Sequence, residues 1–286
     1  MTVTNFIPQL WATSLLVNLH KAHVYGQPGL TNTDYEGEIA AYGDRVKINS
    51  IGAITVFDYT RNTDMPAPEA LTDAQIELIV DQAKGFNFQI DDIDARQVNP
   101  KLMQGATSEA AYALNDTSDA FLAGLYATAA TNFGSTAAPV TFTSAADAYD
   151  QVVDMGVALD ELNVGPEGRG IVVPPWFYGL VEKDDRFVHA TASGDQVLRN
   201  GFAGDANGVR LYKSNNVPVV NNGTADTYKV QMSTPAARSF AEQIVKTEAY
   251  TPERRFADAL KGLHVYGGKL VRTEALAVAH LTRFTG

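Results

Sequence analysis

Between Gly43 and Asp92 the chain carries two limbs of strand-like sequence whose apolar faces find no evident cover elsewhere in the sequence. Val46 and Ile48 alternate with Arg45 and Lys47, and beyond Gly52 Ile54 and Val56 flank Thr55, the two-residue period of a half-buried strand. On the return, Ile76, Leu78 and Val80 keep one parity, and Phe86, Phe88 and Ile90 alternate with Asn87, Gln89 and Asp91. The stretch from Arg61 to Ala74 between the limbs is turn-rich and contains Pro66 and Pro68. Two limbs of about 20 residues at ~3.3 Å per residue predict an arm of roughly 60 Å. A lone two-stranded ribbon is marginal in water, so the pattern predicts that another subunit covers this arm.

Composition narrows the remaining choices. A chain of 286 residues buries roughly three quarters of its unfolded surface and holds one large domain or two. With 45% hydrophobic and 19% charged residues it is a globular chain and not a disordered one. No apolar run reaches the ~20 residues of a membrane helix. No secretory signal is expected, because the first basic residue is Lys21 and the apolar stretch Phe6 to Leu19 is interrupted by Pro8, Gln9 and Asn18. The absence of cysteine excludes disulfides, thiolate metal sites and a cysteine nucleophile, and suits a reducing cytoplasm. A net charge of −11 without a basic stripe argues against a protein that grips nucleic-acid phosphates. The densest positive pair, Arg254 and Arg255, follows Glu253 and precedes Asp258, and reads as a solvated or interface charge cluster.

Along the chain, Trp11, Leu15, Leu16 and Leu19 recur at helical spacing and predict a short amphipathic helix that breaks at Gly26-Gln27-Pro28-Gly29. After the hairpin, Asn99 and Pro100 form a cap and first turn for the longest helix, with Ala110, Leu114, Phe121 and Leu125 on one face and an end near Asn132 to Gly134. Ser144 with Asp147 resembles a capping box for a second helix whose inner face is Tyr149, Val152, Val153, Gly156 and Leu159. Ile171 to Val173 reads as a central strand closed by Pro174-Pro175, with a helix following from Trp176 to Glu182. A loop with Gly201, Gly204 and Gly208 feeds a strand at Val209 to Lys213, so residues 144–227 read as an α/β unit. Tyr228 to Met232, Gln243 to Tyr250 and Leu263 to Val271 are further strands, with a short helix at Phe256 to Leu260, and they form a second sheet beside the long helix.

Catalytic signatures are missing. His20 and His23 share a helix face, yet no HExxH pattern or carboxylate partner accompanies them. Gly262 to Lys269, in the run GLHVYGGKL, has the wrong glycine spacing for a phosphate loop and is followed by a Leu where its Ser or Thr stands, and reads as a structural turn. Neither GxGxxG nor GxSxG occurs, and Asp91, Asp92 and Asp94 lack the glycine and distal glutamate of a calcium loop. The chain is therefore expected to be no enzyme, with no cofactor and no metal.

The order of DYEGEI, GDRVKI, a long hairpin, a long helix and an α/β unit, with RLYKSNNVP and the ending PERRFADALKGLHVYGGKLVRTEALAV, resembles the major capsid protein of tailed bacteriophages. Encapsulin nanocompartments and the herpesvirus capsid floor share that fold. The resemblance covers essentially the whole chain and implies an α+β protein with an N-terminal arm at 1–33 and an extended hairpin loop at 43–92. A peripheral domain would comprise 34–42, 93–143 and 228–286, with a spine helix at about 100–130, and an axial domain 144–227.

The implied function is an icosahedral phage head around a double-stranded DNA genome, and an encapsulin shell holding a cargo enzyme is the alternative. Implied partners are further copies of the chain in hexamers and pentamers, a portal protein and the enclosed DNA, bound without sequence preference, with no membrane. A decoration protein on the outer surface is compatible with this. Since the arm helix starts almost at once, a separate scaffolding protein or an already processed chain is expected. The location is the virion, assembled in the host bacterial cytoplasm. Head-to-tail contacts that close into rings are the matching symmetry. Some family members join a hairpin lysine to a neighbour's asparagine. Here Lys47 and Lys84 sit at the hairpin base and the tip has no lysine, which implies a non-covalent shell. Arg61, Asp64, Met65 and Pro66 at the tip, with Arg254 and Arg255, are the candidate assembly contacts.

Overall fold

The structure is a computed structural model, and it describes residues 23–34, 43–51, 58–59, 61–62, 64, 73–91, 101–144, 146–183, 202–206, 208–253 and 257–283. The predicted arm helix at Phe6 to His23 lies outside them except for His23, which is not helical. In chain order the elements are β1 (Arg45–Ile51), β2 (Asp73–Ile79), β3 (Gln82–Asp91), α1 (Lys101–Ala123), β4 (Thr131–Phe133), α2 (Ala146–Glu161), β5 (Gly170–Val173) and α3 (Pro175–Glu182). Next come β6 (Phe202–Ala206), β7 (Val209–Lys213), β8 (Val219–Asn221), β9 (Asp226–Ser233), β10 (Arg238–Tyr250), β11 (Ala257–Leu270) and β12 (Leu276–Thr282).

They form a mixed sheet in the order β4-β12-β9-β5-β7-β6 with β8 also on β9, a three-stranded sheet β10-β11-β3, and the hairpin β1-β2. The large sheet is built around β5, all of whose residues are buried, parallel to β7 and antiparallel to β9. A wholly apolar strand fits only where both faces are covered. Val152, Met155 and Leu159 of α2 and Phe177 and Val181 of α3 join Ile171, Val172, Val173, Val230 and Met232 in one core. The α2 start is a local construction, as its spacing predicts: the Asp147 carboxylate accepts from the backbone N–H of Thr143 at 2.6 Å and of Ser144 at 2.9 Å. Those bonds hold its carboxyl well below the usual carboxylate range. The α2 end is closed by Arg169, which donates to the carbonyls of Gly156 and Gly165 and pairs with Asp160 at 2.6 Å. Pro174 is the N-cap of α3 and Pro175 its first residue, where a missing N–H loses nothing.

Several expectations are corrected. The return limb of the hairpin is not one strand. It turns after Val80, and β3 leaves the arm to pair with β11 of its own chain, Gln82 opposite Tyr266 through Asp91 opposite Ala257. The expected helix at Phe256 to Leu260 is instead the start of β11, described from Ala257, because that segment is a central strand with partners on both edges. The long helix stops at Ala123, and Asn132 and Phe133, expected at its end, belong to β4. The expected glycine loop contains β6, and Gly208 is in a turn at φ +75°. β9 and β12 hydrogen-bond into the same sheet as β5 and β7, so this sheet draws strands from both sides of residue 227.

Candidate assembly interface

Arm and body meet at a narrow root. β1 and β2 pair antiparallel from Arg45 opposite Ile79 to Ile51 opposite Asp73, and Gly43 and Asp44 extend the ladder to Val80. The even positions face inward: Val46, Ile48, Leu78 and Val80 are buried against Ala241 of β10 and Val265 of β11. The apolar face at the root is thus covered by its own chain, which corrects the expectation that nothing there does so. Outward, Arg45 and Lys47 are exposed, and Arg45 meets Glu77 at 3.1 Å. Gly267 fixes how closely the root sits. A Cβ there would fall against the carbonyl of Ile79 and the Cα of Val80, so the double glycine that resembled a phosphate loop is a mid-strand saddle for the arm and not a turn.

Behind the root lies a buried polar joint that the sequence reading missed. Residues 23–32 run against α1 and finish as a parallel bridge, Asn32 to Ser239. His23 Nε2 lies 2.7 Å from Ser118 Oγ, and the Asp119 carboxylate accepts from the backbone N–H of Val24 and Tyr25 at 3.0 and 2.7 Å. Glu242 stands between two imidazoles, 3.1 Å from His264 and 3.8 Å from His23. Burial raises the pKa of the Asp119 carboxyl, while His23 and the backbone N–H groups oppose the rise. α1 has no basic residue in its last turn, and its C-terminal carbonyls are served from afar. Arg238, fully buried, donates to Leu122 O at 3.1 Å, and Gln231 donates to Ala123 O at 2.6 Å. Such donors suit the negative end of a helix. Burial brings the Arg238 guanidinium down to about 10, against the pull of Tyr25 and Asp119.

Of the predicted assembly contacts, Arg61 and Asp64 are exposed beyond the root, beside Asn62 at φ +66°, a left-handed turn conformation. Met65, Pro66, Arg254 and Arg255 lie outside the described residues. Among the described residues no group of three or more His, Cys, Asp or Glu is placed to hold a metal ion. Nor is any described helix long and apolar enough to cross a membrane.

A protein-family profile described as phage capsid protein matches residues 75–280, well over half of the chain. No curated protein matches. Among solved structures, one titled Mycobacterium phage Che8 is 29% identical, with a TM-score of 0.70 over 90% of this chain and 90% of that one. The capsid of cyanophage P-SCSP1u is 14% identical with a TM-score of 0.70, covering 93% and 90%. A virus-like particle from Pyrococcus furiosus is 11% identical with a TM-score of 0.59, covering 96% and 99%. The last two likenesses are of fold.

Proposed function

Because the chain belongs to the phage capsid protein family and is a major capsid shell protein, we propose that the hairpin arm beyond Ile48 is the device by which its copies close into an icosahedral head. The observation that carries this reading is the asymmetry of the arm. Its root is seated on Ala241, Val265 and Gly267, while Tyr59, Arg61 and Asp64 beyond it are exposed. A two-stranded ribbon is marginal alone, and a neighbouring copy supplies the missing cover. Hexamers and pentamers of such subunits enclose double-stranded DNA without gripping it, consistent with the net charge of −11. The protein's work is structural and not catalytic. Assembly takes place in the host cytoplasm with a separate scaffolding protein and a portal protein.

Deleting residues 58–70 tests this directly. The shortened chain keeps the far-ultraviolet circular dichroism and unfolding midpoint of the parent and forms no closed particles under the electron microscope. Closed particles of normal size from the deletion would end the proposal. The shell is held without covalent links, since no lysine lies between Lys47 and Lys84. Mature particles boiled in detergent therefore run as monomer, and a ladder of multimers would refute it. The fold is also that of the Pyrococcus furiosus particle, so the contents of native particles decide between a phage head and a cargo compartment: nuclease-protected DNA for the first, a packaged protein for the second.

A further inference from the structure

A buried lysine stands at one end of the large sheet with no carboxylate beside it among the described residues. Lys229 on β9 lies directly across from His280 on β12. It is 1% exposed, and Nζ sits 2.8 Å from His280 Nδ1 and 2.5 Å from Thr136 Oγ1. An ammonium has no acceptor to offer, so it donates to both, and Nδ1 of a neutral imidazole must be the bare nitrogen. Thr136 belongs to the 134–140 loop. That loop is held to β12 by the backbone of Val140, to the turn after β8 by Asn222, which donates to Thr136 O at 3.1 Å, and to β9 by Lys229.

Among the described residues the charged and titratable groups around the contact are few. β9 contributes Lys229 and, at its start, Asp226, whose carboxylate is engaged by Asn221 at 2.8 Å; β12 contributes His280; the loop and β8 contribute only neutral groups. Burial lowers the pKa of Lys229, and burial together with the Lys229 charge lowers that of His280.

We propose that the Lys229–His280–Thr136 contact is an acid-released latch on the 134–140 loop. With His280 neutral, one ammonium bridges strand and loop. A proton arriving at Nδ1 turns the acceptor into a donor and sets two cations face to face with no carboxylate among the described residues to share. Lys229 then swings away, Thr136 loses its partner, and the loop and the 221–225 turn it holds through Asn222 loosen together. The sign agrees. A histidine with a lowered pKa takes its proton more readily when the contact is open, so falling pH favours the open form.

Hydrogen–deuterium exchange of the full protein, corrected for intrinsic rates, tests the latch at about pH 7.5 and about pH 5.5. In the wild type the 134–140 amides exchange about tenfold faster at the lower pH, while β5 stays protected. His280→Gln keeps an acceptor that does not titrate and shows equal protection at both values; Lys229→Gln shows fast exchange at both. Equal wild-type protection at the two pH values, or pH dependence retained in His280→Gln, overturns the proposal. Should either variant fail to fold, the wild-type midpoint decides. A midpoint at or somewhat below the ordinary histidine value of about 6.5 supports the latch, and one near the carboxylate value of about 4 overturns it.

Discussion

Ile171, Val172 and Val173 lie in a strand covered on both faces, whereas Val46, Ile48, Leu78 and Val80 at the arm root are covered on one. The first cluster draws on three helices and five other strands, and closes within the subunit. The second is six buried residues wide, with charged Arg45 and Lys47 on its outer side. Each fully buried aliphatic side chain stabilises by about 1.5–3 kcal/mol, so the subunit's stability sits overwhelmingly in the large sheet. The arm can loosen without unfolding the body, and that separation lets a folded subunit wait for its neighbours.

Ile171→Ala is the strongest test of that separation. It opens a cavity at the centre of β5 and lowers global stability by about 2–5 kcal/mol, read as the urea unfolding midpoint. Leu78→Ala removes a comparable side chain at the root, where it is equally buried. Its loss of about 2 kcal/mol or more falls on local opening of β1 and β2, seen as faster amide exchange there and fewer closed particles. The global midpoint moves less than half as far as in Ile171→Ala. Equal shifts in the two variants would show that root and sheet unfold as one unit, and the comparison would collapse.

Gly267→Ala comes next. The new methyl meets the Ile79–Val80 backbone and not a side chain that can swing aside, so the root is displaced at about 1–3 kcal/mol. The subunit stays folded and assembles poorly. Unchanged particle yield would mean that the arm does not need its seat.

How much of this was legible in the sequence depends on how far each partner lies along the chain. The Asp147 box and the Pro174-Pro175 stop were readable because donor and acceptor are a few residues apart. The hairpin alternation was readable as well, but not its break. Ile76, Leu78, Val80, Phe86, Phe88 and Ile90 share one parity, and nothing in that run says that β2 pairs with β1 while β3 pairs with β11. The break is recorded in the partner, at Gly267. The polar joint was hidden for a related reason. Thr107, Asn115, Ser118 and Asp119 look like the wet face of α1, yet all are buried, and Ser118 and Asp119 meet residues 23–25 from 94–95 positions away. Thr227, Lys229, Gln231 and Ser233 likewise mark a polar side of β9 that is turned inward, where Gln231 reaches the end of α1.

Asp147→Asn tests the sheet side of the comparison more gently. The native carboxyl is held low first by the Thr143 backbone N–H and then by the Ser144 hydroxyl. A depressed carboxyl stabilises the fold above its unfolded pKa of about 3.9 and loses that contribution as the pH falls below it. The variant therefore melts a few degrees below the wild type at neutral pH, and the gap narrows in acid. A gap independent of pH would assign the effect to helix geometry instead of charge.

The smallest expected effect belongs to Arg45 and Glu77 at the root. Their side chains are 63% and 39% exposed at 3.1 Å, and exposed pairs of this kind contribute under about 1 kcal/mol and weaken with salt. Glu77→Gln alone leaves particle yield unchanged, and a double-mutant cycle with Arg45→Gln gives a coupling of about 0.5 kcal/mol or less. The reason is positional: the pair decorates the outer face, while the seat is made inside by Val46, Leu78 and Val80 against Val265. A coupling above about 1 kcal/mol, or particle assembly that fails in high salt while Leu78→Ala assembles normally, would mean that charge and not apolar burial sets the angle of the arm.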